Sequence, residues 1–127
     1  MNNHSFLIEN MNNYSYNIKR ERYNPMSKMP ETKVISAMEE MLKIAADATR
    51  LKIMFALLDD EQPEKCVNEI YTLIGASQSL VSHQLKVLKD ADLVSTRKEG
   101  TKVYYSLKDE HVRELVMVVQ EHVLEKF

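Results

Sequence analysis

The sequence has one cysteine, no long apolar run and almost no net charge, and each of these absences narrows its function. A lone Cys66 cannot form a disulfide within the chain. Without a long apolar run there is neither a transmembrane helix nor the hydrophobic segment of a signal peptide, so we expect a cytoplasmic protein with no membrane partner. The net charge of −2 argues, by itself, against a partner as acidic as DNA.

The charged residues are, however, unevenly distributed along the 127-residue chain. Between Lys65 and Lys102 there are six basic and four acidic side chains, a local net charge of +2, so the acidic excess lies elsewhere. The apolar fraction of 44% and the charged fraction of 28% are normal for a soluble globular protein. The composition therefore predicts one compact domain whose central segment is basic.

A change in composition near residue 30 divides the chain in two. Residues 1–30 are rich in asparagine and other polar residues, show no sustained apolar period and include Pro25 and Pro30 near their end. They predict a polar, loosely packed N-terminal arm. Residues 31–127 carry apolar positions at regular spacing and are predicted to form the single domain.

Two helices are predicted at the start of this domain. In VISAMEEMLKIAA the apolar residues recur at helical spacing. In DATRLKIMFALLDD, Asp47 is a candidate N-cap, and the residues that follow are too apolar for a surface helix, so we expect this helix at the centre of the fold. The run EQP, which ends at Pro63, is predicted to terminate it.

The next segments have the order of a helix-turn-helix followed by a hairpin. A short helix, KCVNEIYTLI, meets Gly75, which suits the left-handed conformation that closes helices, and Ser77 is a candidate N-cap for SQSLVSHQLKVLKDA. In LVSTRKEGTKVYYSL, apolar or β-branched residues alternate on both sides of a turn at Glu99-Gly100, which predicts a β-hairpin. Asp109 then opens a final helix. The predicted fold is mainly α with a small β-hairpin, a winged helix-turn-helix.

The second helix of this motif has one apolar and one polar face. On a helical wheel Val81, Leu85 and Leu88 lie opposite short hydroxyls, an imidazole and an ammonium, which can donate to phosphates or to base edges in a major groove. A solvated polar face is the better explanation of such a pattern when it stands alone, but its position on the second helix of a helix-turn-helix, followed by a basic hairpin, favours DNA. The candidate DNA-binding residues are Gln78, Ser79, Ser82, His83, Lys86, Arg97, Lys98 and Lys102.

The last helix holds four residues of types that bind metal ions: Asp109, His111, His122 and Glu125. On a continuous helix the two histidines are about 16 Å apart along the axis, so one ion cannot reach both in one chain. Asp109 can approach His111 if it occupies the N-cap, and His122 and Glu125 share a face. Each pair is then half of a tetrahedral site, whose other half must come from a second chain.

Two such helices that cross antiparallel about a two-fold axis would place the first pair of each subunit against the second pair of the other. The helix supports this pairing because it is apolar on two sides, one running from Val112 to Val123 and the other including Met117 and Leu124. Two imidazoles and two carboxylates suit Zn²⁺, with Co²⁺ as a mimic. The alternative is an ordinary N-cap at Asp109 followed by a solvated face.

The chain resembles the ArsR/SmtB family of repressors, in particular the zinc-sensing branch that carries its metal site on the C-terminal helix. The resemblance covers residues 38–125, through ADATRLKIMFALL, SQSLVSHQLKVLKDADLVSTRKEGTKVYYSL and a D-x-H followed after ten residues by H-x-x-E. It implies a homodimer that binds zinc through Asp109, His111, His122 and Glu125, and a DNA-reading helix with Gln78, Ser79, Ser82 and His83. It also suggests that the ring of His122 contacts a backbone carbonyl near Asp92.

The resemblance implies a metal-responsive transcriptional repressor, whose metal-free dimer binds a palindromic operator in double-stranded DNA and whose zinc-bound dimer releases it. We expect no enzyme, because four protein ligands leave no open position on the metal. Some members carry a second metal site, for which this chain offers only Cys66, Glu69 and His4. The alternatives are a winged-helix repressor of another signal, such as oxidation at Cys66, a small zinc hydrolase, and a metal-free interaction module.

Overall fold

The structure is a computed structural model of one chain, and it describes residues 29–127. The predicted N-terminal arm therefore lies outside the described residues, except for Met29 and Pro30. The described elements are the helices α1 (Thr32–Ala45), α2 (Ala48–Ala56), α3 (Val67–Ile74) and α4 (Gln78–Asp90), the strands β1 (Val94–Glu99) and β2 (Lys102–Leu107), and the helix α5 (Glu110–Leu124). This order confirms the predicted winged helix-turn-helix, in which β1 and β2 form the wing.

The hydrophobic core lies where α2, α3 and α4 meet the wing and the first half of α5. Ile53, Leu57 and Ile70 are completely buried there, and so are Leu85 and Leu88 on the inner face of α4. Burial of a side chain of this size stabilises the fold by about 1.5–3 kcal/mol. The predicted central position of α2 is thus confirmed. Among residues 29–127, no helix is long and apolar enough to cross a membrane.

Helix α2 is shorter than the sequence pattern predicts. The prediction extended it to the EQP run at Pro63, but the helix ends at Ala56, with Leu57 as its C-cap. The reason is that two cations, one from the segment that follows α2 and one from α5, bind the last carbonyl of α2 and the two just after it. Lys65 donates to one of these carbonyls and Arg113 of α5 donates to two others. Cations are favourable at this end of a helix because the helix dipole is negative there.

Lys65 is the buried cation of this junction, with only 5% of its surface exposed. Its Nζ donates to the carbonyls of Ala56 at 2.8 Å and Gln62 at 2.7 Å. The same Nζ lies 3.3 Å from Oδ2 of Asp59. The hydrogen bond from the backbone N–H of Glu61 is the largest cause of the lowered pKa of Asp59, and the hydrogen bond from the Lys65 ammonium lowers this pKa further. Lys65 therefore satisfies several polar groups at once beneath the surface.

The backbone of Lys65 also corrects the predicted start of α3. The sequence pattern placed Lys65 in that helix, whereas α3 begins at Val67. Lys65 instead forms a β-bridge with Tyr105 of β2, donating to its carbonyl at 3.0 Å and accepting from its N–H at 2.8 Å. The bridge attaches the wing to the segment between α2 and α3.

The two predicted turns are present, with a shift of one residue in the hairpin. Gly75 closes α3 in the left-handed conformation at φ 72°, as predicted. The hairpin turn is Gly100-Thr101 rather than Glu99-Gly100, because Glu99 still pairs with Lys102 in the ladder. Gly100 has φ 63°, and a positive φ at the first position of a two-residue loop is what a type II′ hairpin turn requires.

Apolar side chains of α1 and of the second half of α5 remain uncovered in the single chain. Helix α1 has no buried residue, and Met38 and Leu42 are 51% and 52% exposed. On α5, Val116 is buried, but Val119 and Val123 further along the same stripe are exposed. Together with α2 these helices form an apolar groove of about 570 Å³. The stripe predicted on the last helix is thus half core and half open surface.

We predict that Lys65→Met lowers the free energy of unfolding by about 1–3 kcal/mol, because buried carbonyls lose their donor. Urea denaturation at one fixed protein concentration measures this change. Lys89→Met, which removes a cation from the exposed side of α4, is the matched control and should stay within about 0.5 kcal/mol of the wild type. Equal stability of Lys65→Met and the control would contradict the role assigned to Lys65.

Candidate DNA interface and metal-binding helix

The outward face of α4 carries the residues predicted to bind DNA. Ser77 caps the helix, and its Oγ accepts a hydrogen bond from the N–H of Leu80 at 3.2 Å. The apolar side of α4 is buried, as predicted from the helical wheel. The five residues of α4 that were predicted to bind DNA are exposed: Gln78, Ser79, Ser82, His83 and Lys86. The helix thus presents an uninterrupted polar face of the size that enters a major groove.

Among the described residues, Lys86 is the one member of this polar face that forms an ion pair. Its Nζ lies 3.0 Å from Oδ2 of Asp90, one turn further along the helix. Both side chains are largely exposed, and exposed pairs of this kind contribute only about 0.3–0.5 kcal/mol. A phosphate group can therefore replace Asp90 as the partner of Lys86 at little cost.

Arg97, predicted to lie along a phosphate backbone, forms ion pairs with neighbouring carboxylates. Its guanidinium lies 3.0 Å from Oε1 of Glu64 and 3.1 Å from Oε2 of Glu99. It also stacks over the ring of Tyr104, at 4.8 Å from the centroid. Hydrogen bonding to Glu64 and then to Glu99 raises the pKa of Arg97 above its ordinary value. These contacts anchor the wing to the loop before α3.

The basic surface is therefore smaller than the count of residues suggests. Of the basic side chains between positions 65 and 102, Lys65 is buried and Arg97 is engaged by two carboxylates. The remaining basic side chains of that segment are exposed: Lys86, Lys89, Lys98 and Lys102. Lys98 and Lys102 flank the wing turn, so they remain the predicted phosphate contacts of the hairpin.

The first candidate metal-ligating pair lies at the start of α5. Asp109 is the N-cap, and its Oδ1 accepts a hydrogen bond from the N–H of Val112 at 3.1 Å. Its other carboxylate oxygen, Oδ2, lies 3.7 Å from Nδ1 of His111. Because the N-cap backbone is extended rather than helical, Asp109 turns back toward His111, as the sequence predicted.

The second pair lies at the other end of the same helix. Nδ1 of His122 is 3.9 Å from Oε2 of Glu125, one turn further on. With metal–ligand distances near 2.0–2.1 Å, two ligand atoms of a tetrahedral zinc ion are about 3.3 Å apart. The two pairs are about 0.4 and 0.6 Å wider than that separation, which small rotations of these exposed side chains can close. The nitrogen and oxygen atoms present therefore fit half of a zinc site at each end of α5.

The two pairs do not meet in one chain. Among residues 29–127, no three His, Cys, Asp or Glu side chains lie close enough together to hold one ion. The structure brings Asp109 to His111 and His122 to Glu125, and it keeps the pairs at opposite ends of a 15-residue helix. A complete four-ligand site consequently requires a second chain.

A polar junction that the sequence did not predict joins the start of α5 to the end of α4. Lys108, which precedes Asp109, donates its N–H to the carbonyl of Leu93 at 3.0 Å. Its Nζ lies 3.3 Å from Oδ1 of Asp92. Asp92 has φ 64°, the only positive φ outside glycine in the described part of the chain, and it ends the helical path of α4. The first ligand pair is thus one residue from a direct contact with the end of α4.

Cys66 lies half-buried at the N-cap of α3, beside a carboxylate. Its backbone N–H donates to Oε1 of Glu69 at 2.9 Å, and this hydrogen bond is the main reason for the lowered pKa of Glu69. Burial raises the pKa of the Cys66 thiol, and Glu69 raises it further. A thiol with a raised pKa has little thiolate and reacts slowly, which disfavours oxidation at Cys66 as a signal. His4 lies outside the described residues.

Comparison with known proteins places this geometry in a family. Residues 47–96 match the family described as "Bacterial regulatory protein, arsR family". The chain is 41% identical over 88 residues to a transcriptional repressor SmtB homolog of Synechocystis sp., covering 69% of this chain and 64% of that protein. It is 42% identical over 77 residues to a cadmium resistance transcriptional regulatory protein CadC homolog of Staphylococcus aureus, covering 61% of this chain and 62% of that protein. The alignment thus spans less than two thirds of each of these two relatives.

A shorter relative is covered more completely. The chain is 37% identical over 90 residues to the arsenical resistance operon repressor of Bacillus subtilis, which covers 69% of this chain and 84% of that protein. These relatives are transcriptional regulators, which agrees with the expectation that the chain is not an enzyme.

A solved structure shares the fold. It is described as the homodimeric winged helix-turn-helix DNA-binding domain of Mb0332 from Mycobacterium bovis, a possible ArsR-family transcriptional regulator. The TM-score is 0.69 at 29% sequence identity, and the alignment covers 81% of this chain and 93% of that domain. The order of elements, the polar face of α4 and these similarities lead to one conclusion. The chain belongs to the arsR family of bacterial regulatory proteins.

Proposed function

We propose that this protein is a metal-responsive transcriptional repressor that acts as a homodimer in the cytoplasm. The metal-free dimer binds a palindromic operator in double-stranded DNA, and zinc at the paired α5 helices releases it. The observation that carries the proposal is the arrangement of α5, which has a histidine beside a carboxylate at each end and an uncovered apolar side between them.

The uncovered apolar groove supports a dimer through α1 and α5. Apart from Gln120 the groove is lined by apolar residues, and contiguous exposed apolar surface of this kind is a feature of protein interfaces. A two-fold axis through the groove brings α5 of one subunit against α5 of the other in antiparallel orientation. The N-terminal ligand pair of each subunit then faces the C-terminal pair of its partner. The homodimeric state of the Mb0332 domain is consistent with this arrangement.

The identity of the donor atoms favours zinc over softer metals. The four ligands offer two imidazole nitrogens and two carboxylate oxygens, with no thiolate among them. Relatives are named for resistance to cadmium and to arsenicals, but soft metals prefer thiolate ligands, and the one thiol of the chain lies on α3. A borderline ion with tetrahedral preference fits this set best, which is why we propose Zn²⁺ with Co²⁺ as a mimic.

The junction at Lys108 supplies a route from the ligand pairs to the DNA-reading face. Lys108 contacts Asp92 and Leu93, which connect α4 to the wing. Fixing Asp109 and His111 in a four-ligand site restrains the start of α5, and therefore the end of α4. His122, which uses one ring nitrogen for metal, keeps its other N–H as a donor for a carbonyl near Asp92. A changed spacing of the two α4 helices no longer matches successive major grooves.

The DNA assignment predicts two kinds of defect. Ser82→Ala and His83→Ala should each weaken operator binding by about 1–3 kcal/mol, with little effect on random DNA, because both side chains face outward and contact bases. Lys98→Ala and Lys102→Ala should weaken binding to every sequence and reduce the slope of log K against log[salt] by about 1 each. Fluorescence anisotropy over a series of salt concentrations measures both. Lys52→Ala on α2 is the control, and a loss of equal size there would contradict the assignment.

The shared metal site predicts complementation between two inactive variants. One variant is Asp109→Asn with His111→Ala, in which asparagine keeps the N-cap; the other is His122→Ala with Glu125→Ala. Each homodimer contains only half-sites and should bind zinc at least about 100-fold more weakly than the wild type. A heterodimer of the two variants contains one complete site, so it should bind one zinc ion with wild-type affinity.

The heterodimer is isolated through different affinity tags on the two chains, and zinc is titrated against a chromophoric chelator. Binding should weaken as the pH falls, because protons compete with the metal for the imidazoles. Wild-type homodimers should take up two ions. A heterodimer that binds no better than either homodimer would show that the two chains do not share the site.

A further inference from the structure

Arg50 is bonded to three parts of the fold at once. It lies in the first turn of α2, where its backbone N–H donates to Oδ2 of the N-cap Asp47 at 3.0 Å. Its Nε donates to Oε1 of Gln84 on α4 at 2.6 Å. One terminal nitrogen, Nη1, donates to the carbonyl of Ile44 in the last turn of α1 at 3.0 Å. One half-buried guanidinium therefore joins α1 and α4 through α2.

Gln84 lies on the side of α4 rather than on its polar outer face. On the helical wheel it is about 140° from Ser79, whereas Ser82 and Lys86 are within about 60° of Ser79. Gln84 is half-buried, while both of its neighbours on the outer face are exposed. Its amide oxygen accepts from Arg50 instead of pointing toward a groove. Gln84 therefore belongs to the support of α4 and not to the surface that contacts DNA.

This support differs in kind from the packing of α4 on the core. Val81, Leu85 and Leu88 bury apolar surface, and that attraction is non-directional, so it decides which face of α4 is buried but defines the rotation of the helix less sharply than a directional bond does. The guanidinium is planar and its donors are fixed in a fork, so two acceptors bound to it cannot move independently. The bond to Gln84 thus constrains the orientation of α4, and the bond to Ile44 sets that orientation relative to α1.

We propose that Arg50 is a positioning residue for DNA recognition, which fixes the orientation of α4 relative to α1 through Gln84. The inference rests on the proposed function, since it assumes that α4 reads DNA and that α1 lies in the dimer interface. Because the apolar side chains of α1 are uncovered in the single chain, the partner subunit of the proposed dimer lies against α1. Arg50 then relates the recognition helix of each subunit to the two-fold axis, and so sets the distance between the two recognition helices.

The test compares Gln84→Met, Gln84→Glu and Arg50→Met in the dimer of the 127-residue chain. The probe is a duplex that the wild-type protein enriches from a random pool, with a scrambled duplex of the same composition as the non-specific reference. Gln84→Met and Arg50→Met should lower affinity for the enriched duplex about tenfold and leave the scrambled duplex unchanged. Gln84→Glu keeps an acceptor for Arg50 and should retain the wild-type ratio of the two affinities. The variant with both methionines should lose no more than either alone.

Lys52→Met is the matched control, because it removes an exposed cation from the same helix, on the side that faces Leu73 and Ile74 of α3. A second measurement does not require DNA: residual dipolar couplings of backbone amides report the orientation of α4 relative to α1. In the wild type and in Gln84→Glu, a single alignment tensor should fit the couplings of both helices in the orientation of this structure. In Gln84→Met a single tensor should not fit both helices. Variants that lose thermal stability but keep both the affinity ratio and the single orientation would overturn the proposal. If the wild type enriches no sequence, the proposed function fails, and the dipolar couplings still decide the role of Arg50.

Discussion

The uncovered apolar sides of α1 and α5 are the constraint on which the rest of the molecule depends. Residues 29–127 bury one compact core, and that core ends halfway along α5, between Val116 and Val119. Beyond that point the apolar stripe faces an open groove shared with α1 and α2. A second chain that covers the groove would bury this apolar surface. The same contact would complete the two proposed half-sites, which a single α5 cannot join. In this account dimerisation and metal binding are consequences of one feature.

Helix α2 connects that interface to the surface proposed to meet DNA. At its first turn Arg50 reaches both α1 and α4, and at its last carbonyls Lys65 and Arg113 attach the wing segment and α5. These directional contacts define how the helices are oriented around the apolar core, because charged groups that are partly buried must keep their partners. A change in the arrangement of α1 and α5 can therefore be transmitted to α4 through a few hydrogen bonds.

Residues whose environment is set by local periodicity could be predicted from the sequence, and those set by distant partners could not. The inner face of α4, the left-handed Gly75 and the cap at Asp109 follow from spacing and residue type within one or two turns, and the structure confirms them. The ion pair between Arg97 and Glu64 was not predicted, because the two residues are 33 positions apart along the chain. The early end of α2 depends on Arg113, which is 56 residues from Leu57. Only the fold brings such groups together, so no local pattern reveals them.

The central claim is that metal and operator select different arrangements of one dimer, and thermodynamic reciprocity tests it most directly. Zinc affinity is measured for the free dimer and for the dimer saturated with operator, and operator affinity is measured with and without zinc, all at one salt concentration. The account predicts that both ratios exceed about tenfold and are equal, because linkage requires a single coupling factor for both ligands. Zinc that binds the free and the operator-bound dimer with the same affinity would contradict it.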